Sequence, residues 1–419
     1  MNIAKTLLKQ RYLEPLKENP ITYIGVELEY PIVNLLGETT DIALSKRLME
    51  EIVIQLGFSV EKIDRKGSPI QLKHINGDCI LFEVSYNTLE FAFAKAVCIQ
   101  EIEERLNQYL AVIQRFLRKE NHELQGKGIN PNWKINDNQP VSSPRYEMLM
   151  NFLSLAERYP SMHSYSNYGA FICGNQVQLD VPKDKVFRVL NAFNKIEAVK
   201  AYLFSNSAIP ELFPELTITR DLFWEQSMHG KLNNNIGLYS QDFTVEEEYL
   251  SYMEQSAMFH AERDGIYYYF DPISVAEYFQ QAEVIGYGPN GQCMTLRPHP
   301  DDIILHRSYH YQELTARGTI EFRSICAQPL NQTFAPIAFH LGLFENFEEF
   351  EKILDMTPFF QKYGKDYKVL RRNFSCKVLT NSQKVVIRKF SNELLLCAIK
   401  GLEKRQRGEE QYLSLQMIK

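Results

Sequence analysis

Four segments of the chain alternate apolar and polar residues as strands do, and they place carboxylates on the polar side. The segments are IGVELEY (24–30), LFEVSYN (81–87), NQVQLDV (175–181) and TIEFRS (319–324). Residues i and i+2 of a strand point to the same face, so each segment has one apolar face and one polar face. Glutamate is a poor strand former, and its recurrence inside runs that otherwise favour strands calls for an explanation.

Two interpretations of these polar faces are open. In the first, each strand belongs to a sheet with one face on the core and the other in water, which requires no chemistry. In the second, the strands are neighbours and their carboxylates converge. Such a cluster repels itself unless cations neutralise it, and hard oxygen ligands favour Mg²⁺ or Mn²⁺ over zinc. The carboxylates on these polar faces are Glu27, Glu29, Glu83, Asp180 and Glu321, and Glu90 follows shortly after the second segment.

Arg323 lies two residues after Glu321 and shares its face of the predicted strand. A planar guanidinium pairs two oxygens at once, which suits a phosphate-bearing ligand. Carboxylate-bound Mg²⁺ together with arginine is the combination of groups that enzymes use for phosphoryl transfer from ATP. The second interpretation therefore predicts an enzyme that uses ATP.

Composition narrows the class of protein. The chain has 419 residues, 46 Lys and Arg against 52 Asp and Glu, a net charge of −6 and 45% hydrophobic residues. An acidic balance argues against a sequence-independent nucleic-acid binder, which needs a basic surface. Seven scattered cysteines without a Cys-x-x-Cys pair indicate a reducing compartment. With no signal-peptide pattern and no apolar stretch of ~20 residues, we expect a cytoplasmic, unprocessed protein with no membrane partner.

The chain shows no repeat, low-complexity tract or linker, which favours a single domain over residues 1–419. Strands and helices mix without a regular βαβ repeat, so we predict an α+β fold with an antiparallel or mixed sheet and helices packed outside it. Helical periodicity covers residues 41–56, 97–120, 143–156, 183–204, 245–261, 337–354 and 392–406. Strand-like alternation covers residues 23–33, 79–93, 170–181, 265–270 and 317–326.

Seven motifs, in this order, resemble those of the glutamate-cysteine ligases, particularly the bacterial and plant-type branch. They are IGVELEY, FEVSYNTLE, QVQLD, LFSNSAIP, TRDLFW, TIEFRS and AIKGLEKRQRGEEQYL. Each motif alone is weak, but their shared order along most of the chain is a fairly specific signal. The resemblance implies a glutamine-synthetase-like fold, in which an antiparallel sheet forms a funnel for ATP, Mg²⁺ (or Mn²⁺) and glutamate.

The resemblance also implies roles for individual residues. The five glutamates named above become metal ligands, and Arg323 lies against the transferred phosphate beside Glu321. Arg220 and Trp224 line the amino-acid pocket, with Arg220 binding a carboxylate. Gln176 stands where some branches place a metal-binding histidine.

The implied reaction joins the γ-carboxyl group of glutamate to cysteine through a γ-glutamyl phosphate. Two departures from the family pattern leave the acceptor open: Ser85 is followed by Tyr86 rather than glycine, and Phe171 and Ile172 replace basic and hydroxyl residues. One alternative keeps the chemistry with another amine, amino acid or peptide as acceptor. Another is a non-catalytic binding protein, which the intact set of Glu and Arg residues disfavours.

Other signals receive structural interpretations. GYGPNG (286–291) lacks the following helix of a dinucleotide site and predicts a turn. His306 and His310 are interpreted as part of a solvated or packing face rather than as metal ligands, and Cys173 and Cys326 as small buried residues. The basic run KVLRRNFSCK (368–377) predicts a solvated helix face.

Overall fold

The computed structural model describes residues 2–418, with side chains to residue 413. The described helices are α1 (Ile3–Tyr12), α2 (Ile42–Leu56), α3 (Ile99–Arg118), α4 (Pro144–Ser154), α5 (Val186–Lys195), α6 (Glu197–Phe204), α7 (Arg220–Glu225), α8 (Glu246–Met253), α9 (Val275–Tyr278), α10 (Ala335–Glu345), α11 (Phe347–Met356), α12 (Pro358–Tyr363), α13 (Tyr367–Phe374) and α14 (Asn381–Arg405). The described strands are β1 (Ile24–Asn34), β2 (Ser59–Ile63), β3 (Pro69–Lys73), β4 (Cys79–Phe82), β5 (Thr88–Ala96), β6 (His122–Leu124), β7 (Gly174–Asp180), β8 (Ile236–Gly237), β9 (Ala257–Arg263), β10 (Ile266–Ser274), β11 (Val284–Tyr287), β12 (Cys293–Leu296), β13 (Tyr309–His310), β14 (Gln312–Leu314) and β15 (Thr319–Cys326).

The main sheet has nine strands in the order β14-β15-β7-β1-β5-β4-β3-β2, with β6 paired to the far end of β1. Every pairing in this sheet is antiparallel. The predicted α+β class with an antiparallel sheet is therefore confirmed. Three of the four polar segments lie on the neighbouring strands β15, β7 and β1, and the fourth begins on β4, which β5 separates from β1.

The apolar face of the sheet packs against helices. The ring of Phe322 on β15 lies 4.5 Å from that of Phe193 on α5 and 4.6 Å from that of His340 on α10. Val177 and Leu179 on β7 are buried on the same side. These contacts place the core between the sheet and the helices, as the prediction of helices outside the sheet requires.

The polar face is covered by a second layer. Helix α4 packs on β10 of a four-stranded sheet ordered β12-β11-β10-β9. Phe152 on α4 stacks on Phe259 of β9 at 4.4 Å and meets the His229 ring at 5.4 Å. A cavity between two layers, rather than an open sheet surface, therefore faces the carboxylates.

The C-terminal helices close the far side of the core. A Cβ atom on Gly401 of α14 would lie 1.9 Å from the carbonyl oxygen of Gly342 on α10, so the two helices cross backbone to backbone. Beyond α14, the Oε1 atom of Glu409 accepts the Ile99 backbone N–H at 2.9 Å, at the start of α3. The end of the described chain is thus tied to an early helix.

Four predicted elements are wrong in part. The segment 79–93 is not one strand, because β4 ends at Phe82 and residues 83–87 turn into β5, with Val84 at φ 57°. The predicted helix 245–261 ends at Met253, and strand β9 begins at Ala257 because it pairs with β10. The predicted helices 183–204 and 337–354 are each divided in two. The single-domain organisation stays a prediction.

Candidate active site

A cavity of about 460 Å³ lies between the polar face of the main sheet, helices α4 and α7 and the segment 306–317. All nine residues predicted from the sequence line it: Glu27, Glu29, Glu83, Glu90, Gln176, Arg220, Trp224, Glu321 and Arg323. Strand register brings them together, since Glu29 lies opposite Glu90 and Glu27 opposite Gln176. Their chemical roles stay predictions, but their convergence is a property of the fold.

The polar face is not a solvated surface. Glu29, Gln176 and Glu321 are only 8%, 8% and 5% exposed. Buried carboxylates that face one another are costly unless hydrogen bonds or cations compensate them. The first interpretation of the alternating segments is therefore wrong.

Two glutamines of β7 donate hydrogen bonds to part of the carboxylate cluster. The side-chain amide of Gln178 donates to Glu27 and to Glu321, both at 3.1 Å. Gln176 donates to Glu29 at 3.0 Å, and the Gly174 backbone N–H donates to the other oxygen of Glu29 at 2.5 Å. The Oε1 atom of Gln176 is buried without a hydrogen-bond partner, so a carbonyl oxygen remains for a ligand.

Three carboxylates of the cavity, Glu27, Glu29 and Glu90, hold their protons more tightly than in water. Burial, and then the charge of Glu321, raises the pKa of Glu27 to about 7. Burial followed by the charge of Glu83 raises the pKa of Glu29, and the same two causes raise the pKa of Glu90 well above its usual value. A cation in the cavity would reverse these shifts, because it stabilises the ionised carboxylates.

Glu321 differs from its neighbours. Burial opposes its ionisation, but Arg323 and then Arg307 outweigh burial, and the pKa of Glu321 is lowered. Arg323 donates from Nη2 to Glu321, while its Nε lies 3.8 Å from Glu313 and is buried without a hydrogen-bond partner. This unpaired N–H donor gives Arg323 capacity for an anionic ligand.

Helix α7 presents Arg220 and Trp224 to the cavity. Arg220 Nη1 donates to the Ile325 carbonyl at 3.1 Å, and its Nε is buried without a hydrogen-bond partner. The ring of Trp224 contacts those of Tyr168 at 5.3 Å and Tyr309 at 4.9 Å. A buried guanidinium with an unused donor beside an aromatic wall is suited to a carboxylate-bearing substrate.

The donor chemistry of the cavity fits Mg²⁺. Carboxylate oxygens and the free carbonyl of Gln176 are the hard ligands this ion prefers. Within the described residues, however, no three His, Cys, Asp or Glu side chains stand around a common point in the way that would hold a metal ion. In the arrangement described here, the oxygens of Glu27, Glu29 and Glu321 are hydrogen-bonded by side-chain donors and one backbone N–H.

Sequence reasoning missed several lining residues: Arg11, Arg145, Tyr146, Arg307, Tyr309, Glu313 and Arg317. Glu313 is the most relevant, because it lies opposite Glu321 in the β14–β15 pair, and burial raises its pKa to about 7. The sequence pattern does point to Gln178, because this residue stands on the polar side of NQVQLDV. In the structure its side-chain oxygen accepts a hydrogen bond from Arg317 at 2.7 Å. β14 has only three residues, too few to show alternation.

The motifs that were interpreted as structural rather than functional have structural roles in the fold, with one exception. GYGPNG forms the turn between β11 and β12, and Cys173 and Cys326 are fully buried. His306 is buried between Tyr12 and Ser256 at 2.9 and 2.8 Å, and His310 stacks on Tyr239 at 4.2 Å. The exception is the run 368–377, where Arg371 is buried rather than solvated.

The model of glutamate-cysteine ligase family 2 matches residues 23–371, and the chain belongs to this family. The resemblance drawn from the seven motifs is therefore confirmed. The chain is similar to glutamate–cysteine ligase A, chloroplastic, of Oryza sativa subsp. indica and to ligase B, chloroplastic, of subsp. japonica, each 23% identical over 294 residues. Both alignments cover 69% of this chain and 56% of the relative, so the chain spans about half the length of these curated relatives.

Two solved structures are similar to this chain. One is a glutamate–cysteine ligase from Francisella tularensis in complex with AMP, with a TM-score of 0.48 and 13% identity over 96% of this chain and 82% of that one. The other is a bifunctional glutathione synthetase from Pasteurella multocida, with a TM-score of 0.43 and 10% identity over 99% of this chain and 48% of that one. Among the described residues, no helix has the length and apolar character needed to cross a membrane.

Proposed function

We propose that this protein is an ATP-dependent ligase that joins the γ-carboxyl group of glutamate to an amine. Cysteine is the acceptor that the family's name indicates, and the product would then be γ-glutamylcysteine. The observation that carries the proposal is the convergence of five carboxylates, Gln176, Arg220 and Arg323 in one cavity. Membership in glutamate-cysteine ligase family 2 supports it.

The chemistry has two steps. A carboxylate does not react with an amine at neutral pH because oxide is a poor leaving group. In the first step a γ-carboxylate oxygen attacks the γ-phosphorus of ATP, the bond to ADP breaks, and an acyl phosphate forms. In the second step the amine attacks the acyl carbon, the C–O bond to phosphate breaks, inorganic phosphate leaves, and the amine gives up a proton.

The residues of the chain have distinct tasks in this scheme. Arg220 binds a carboxylate of glutamate against the Trp224 wall, and Arg323 stabilises the oxygens of the moving phosphoryl group through its free Nε–H. Glu27, Glu29, Glu83, Glu90 and Glu321 would hold Mg²⁺, with Gln176 as a further oxygen donor. When bound, Mg²⁺ would supply charge neutralisation to the phosphates.

The activating step can be measured by itself. Purified protein with MgCl₂, ATP, glutamate and hydroxylamine should form γ-glutamyl hydroxamate and release ADP, because hydroxylamine traps the acyl phosphate. Arg323→Gln should reduce this rate by about 100-fold or more, as expected for loss of a donor to transition-state charge. Glu27→Gln should reduce it similarly while keeping the size of the side chain.

Arg118→Gln is the matched control, since Arg118 is 63% exposed at the end of α3. We expect it to keep the wild-type rate within twofold. Near-normal hydroxamate formation by Arg323→Gln would refute the assignment of that residue. Absence of hydroxamate and ADP with the wild-type protein would instead support a non-catalytic binding protein.

A further inference from the structure

The cavity extends along β15 from one end of this strand to the other. Arg317 lines it just before the strand begins at Thr319. Arg220 lines it at the other end, where its Nη1 donates to the carbonyl oxygen of Ile325. At a rise of about 3.3 Å per residue, Thr319 and Ile325 are about 20 Å apart along the strand. Arg317 and Arg220 therefore stand at opposite ends of the site.

Helix α1 places Arg11 beside Arg307. The hydroxyl of Tyr12, the last residue of this helix, donates to the carbonyl oxygen of His306 at 3.0 Å and lies 2.9 Å from its Nδ1. Arg11 directly precedes Tyr12, and its guanidinium lies 5.4 Å from the centroid of the Tyr12 ring. Arg307 directly follows His306. Both arginines line the cavity.

The chain that follows α1 crosses the turn between β14 and β15. A Cβ atom on Gly318 would collide with the carbonyl oxygen of Pro15, so the two backbones touch beside Arg317. Hydrogen bonds join the same groups from within the cavity. Arg317 donates to Gln178 at 2.7 Å, Gln178 donates to Glu321 at 3.1 Å, and Glu321 lies 3.9 Å from Arg307.

Three arginines thus stand at the Thr319 end of β15, and we call them the arginine rim: Arg11, Arg307 and Arg317. The rim has donors to spare. The Nε of Arg11 is buried without a hydrogen-bond partner. The side chain of Arg307 is 45% exposed, and its Nη2 stays beyond hydrogen-bond distance of Glu321. Guanidinium N–H groups of this kind pair with phosphate oxygens, often two at once.

The direction of phosphoryl transfer identifies the phosphates that the rim faces. In the proposed function, on which this inference rests, Arg220 holds glutamate and Arg323 contacts the transferred phosphoryl group. The attacking and leaving oxygens lie roughly in line on opposite sides of the phosphorus. Because glutamate approaches from the Ile325 end of β15, the leaving ADP lies toward the Thr319 end.

We infer that the arginine rim binds the α- and β-phosphates of ATP, with Arg11 supplying one of the contacts. As the bond to the γ-phosphorus breaks, its electron pair passes to an oxygen of the β-phosphate, and the rim stabilises the charge that ADP gains. Arg11 precedes residues 23–371, which the family model matches. Its contact is therefore an addition made by α1 of this chain.

Binding of ADP tests the inference without turnover. Titration calorimetry of the full chain in MgCl₂ gives the Kd for ADP. We expect Arg11→Gln to raise this Kd about tenfold, because a charge-assisted contact to phosphate is lost. An unchanged Kd would overturn the inference.

Lys9→Gln is the matched control, because it removes the same charge from the same helix. Lys9 pairs with Glu246 at 2.5 Å, and both side chains are more than one-third exposed. We expect this variant to bind ADP as the wild type does. Equal losses in Lys9→Gln and Arg11→Gln would assign the effect to the charge or folding of α1 in general and overturn the inference. A thermal melt of each variant shows whether it is folded.

The hydroxylamine assay separates this inference from the proposed function. In Arg11→Gln the KM for ATP should rise about tenfold while the KM for glutamate stays unchanged. A rise in the KM for glutamate alone, or no change in either constant, would overturn the inference and leave the proposed activation of glutamate standing. Absence of hydroxamate with the wild-type protein would overturn the proposed function, and absence of ADP binding would overturn the inference as well.

Discussion

Arg371 donates two hydrogen bonds to Asp221, from Nε to Oδ2 at 2.7 Å and from Nη2 to Oδ1 at 3.0 Å. Its third nitrogen, Nη1, donates to Glu197 at 2.6 Å, and the residue is only 2% exposed. Asp221 adjoins Arg220 in α7, so α13 holds the helix that presents Arg220 and Trp224 to the cavity. A bidentate pair fixes orientation as well as distance.

Replacing Arg371 by leucine should destabilise the fold strongly. Asp221 would stay buried without its cation, and breaking a buried pair in this way costs about 3–5 kcal/mol. Urea unfolding followed by circular dichroism measures the loss. Arg118→Leu is the control, because Arg118 is 63% exposed and its ion pair with Glu123 contributes less than about 1 kcal/mol. A loss below 1 kcal/mol for Arg371→Leu would show that the pair does not stabilise α7.

Gly174→Ala should weaken glutamate binding through Arg220. A Cβ atom at Gly174 would lie 2.8 Å from Nη2 of Arg220 and 3.4 Å from Oε2 of Glu29, so the guanidinium must move. Loss of a charged hydrogen bond of about 1.5–3 kcal/mol corresponds to a rise of roughly 10- to 100-fold in the KM for glutamate. The hydroxamate assay with varied glutamate gives this value.

The matched control for that variant is Gly288→Ala. A Cβ atom there would meet the amide end of Gln292, a flexible side chain in the β11–β12 turn. The KM for glutamate should then equal that of the wild type. An unchanged KM in Gly174→Ala as well would contradict a role for Arg220 in binding glutamate.

Acid should destabilise the protein partly through His306. Burial, and then the charge of Arg11, lowers the pKa of His306 to about 3. The unfolded chain binds a proton at this imidazole near pH 6.5 and the folded chain does not, so stability present above pH 6.5 is lost as the pH falls toward 3. At pH 5 the loss from this residue is about 2 kcal/mol.

Urea unfolding at pH 7.5 and pH 5.0 measures the sign and size of this loss of stability. His306→Gln should show a smaller loss between the two values than the wild type, by about 2 kcal/mol. His299→Gln, at a position 63% exposed, should lose as much stability as the wild type. If the free energy of unfolding has the same pH dependence in all three proteins, His306 does not contribute to the acid destabilisation.

The sheet and much of the cavity were predictable because their signals are local. Two-residue periodicity identified β1, β7 and β15 and placed Glu27, Gln176 and Glu321 on the correct face. Glu83 was placed in the cavity through the wrong local structure, since it stands in a turn and not on a strand. The turn escaped notice because Val84 adopts φ 57°, which β-branched residues rarely do.

The rest depended on contacts between distant residues. Arg371 sits in a basic run of the kind that is usually solvated, and its partners Glu197 and Asp221 are 174 and 150 residues earlier. The end of α8 at Met253 is set by the pairing of β9 with β10, which competes with the apolar spacing that predicts a longer helix. Neither outcome is encoded in a short window of sequence.

The hydrogen bond from Ile99 to Glu409 joins residues 310 positions apart. During synthesis at about 5–20 residues per second, the start of α3 therefore waits on the order of 15–60 s for its acceptor. Until then the N–H group of Ile99 depends on water. The last strand of the main sheet ends at Cys326, so every strand of the sheet is synthesised before Glu409, and the first turn of α3 receives its acceptor after them.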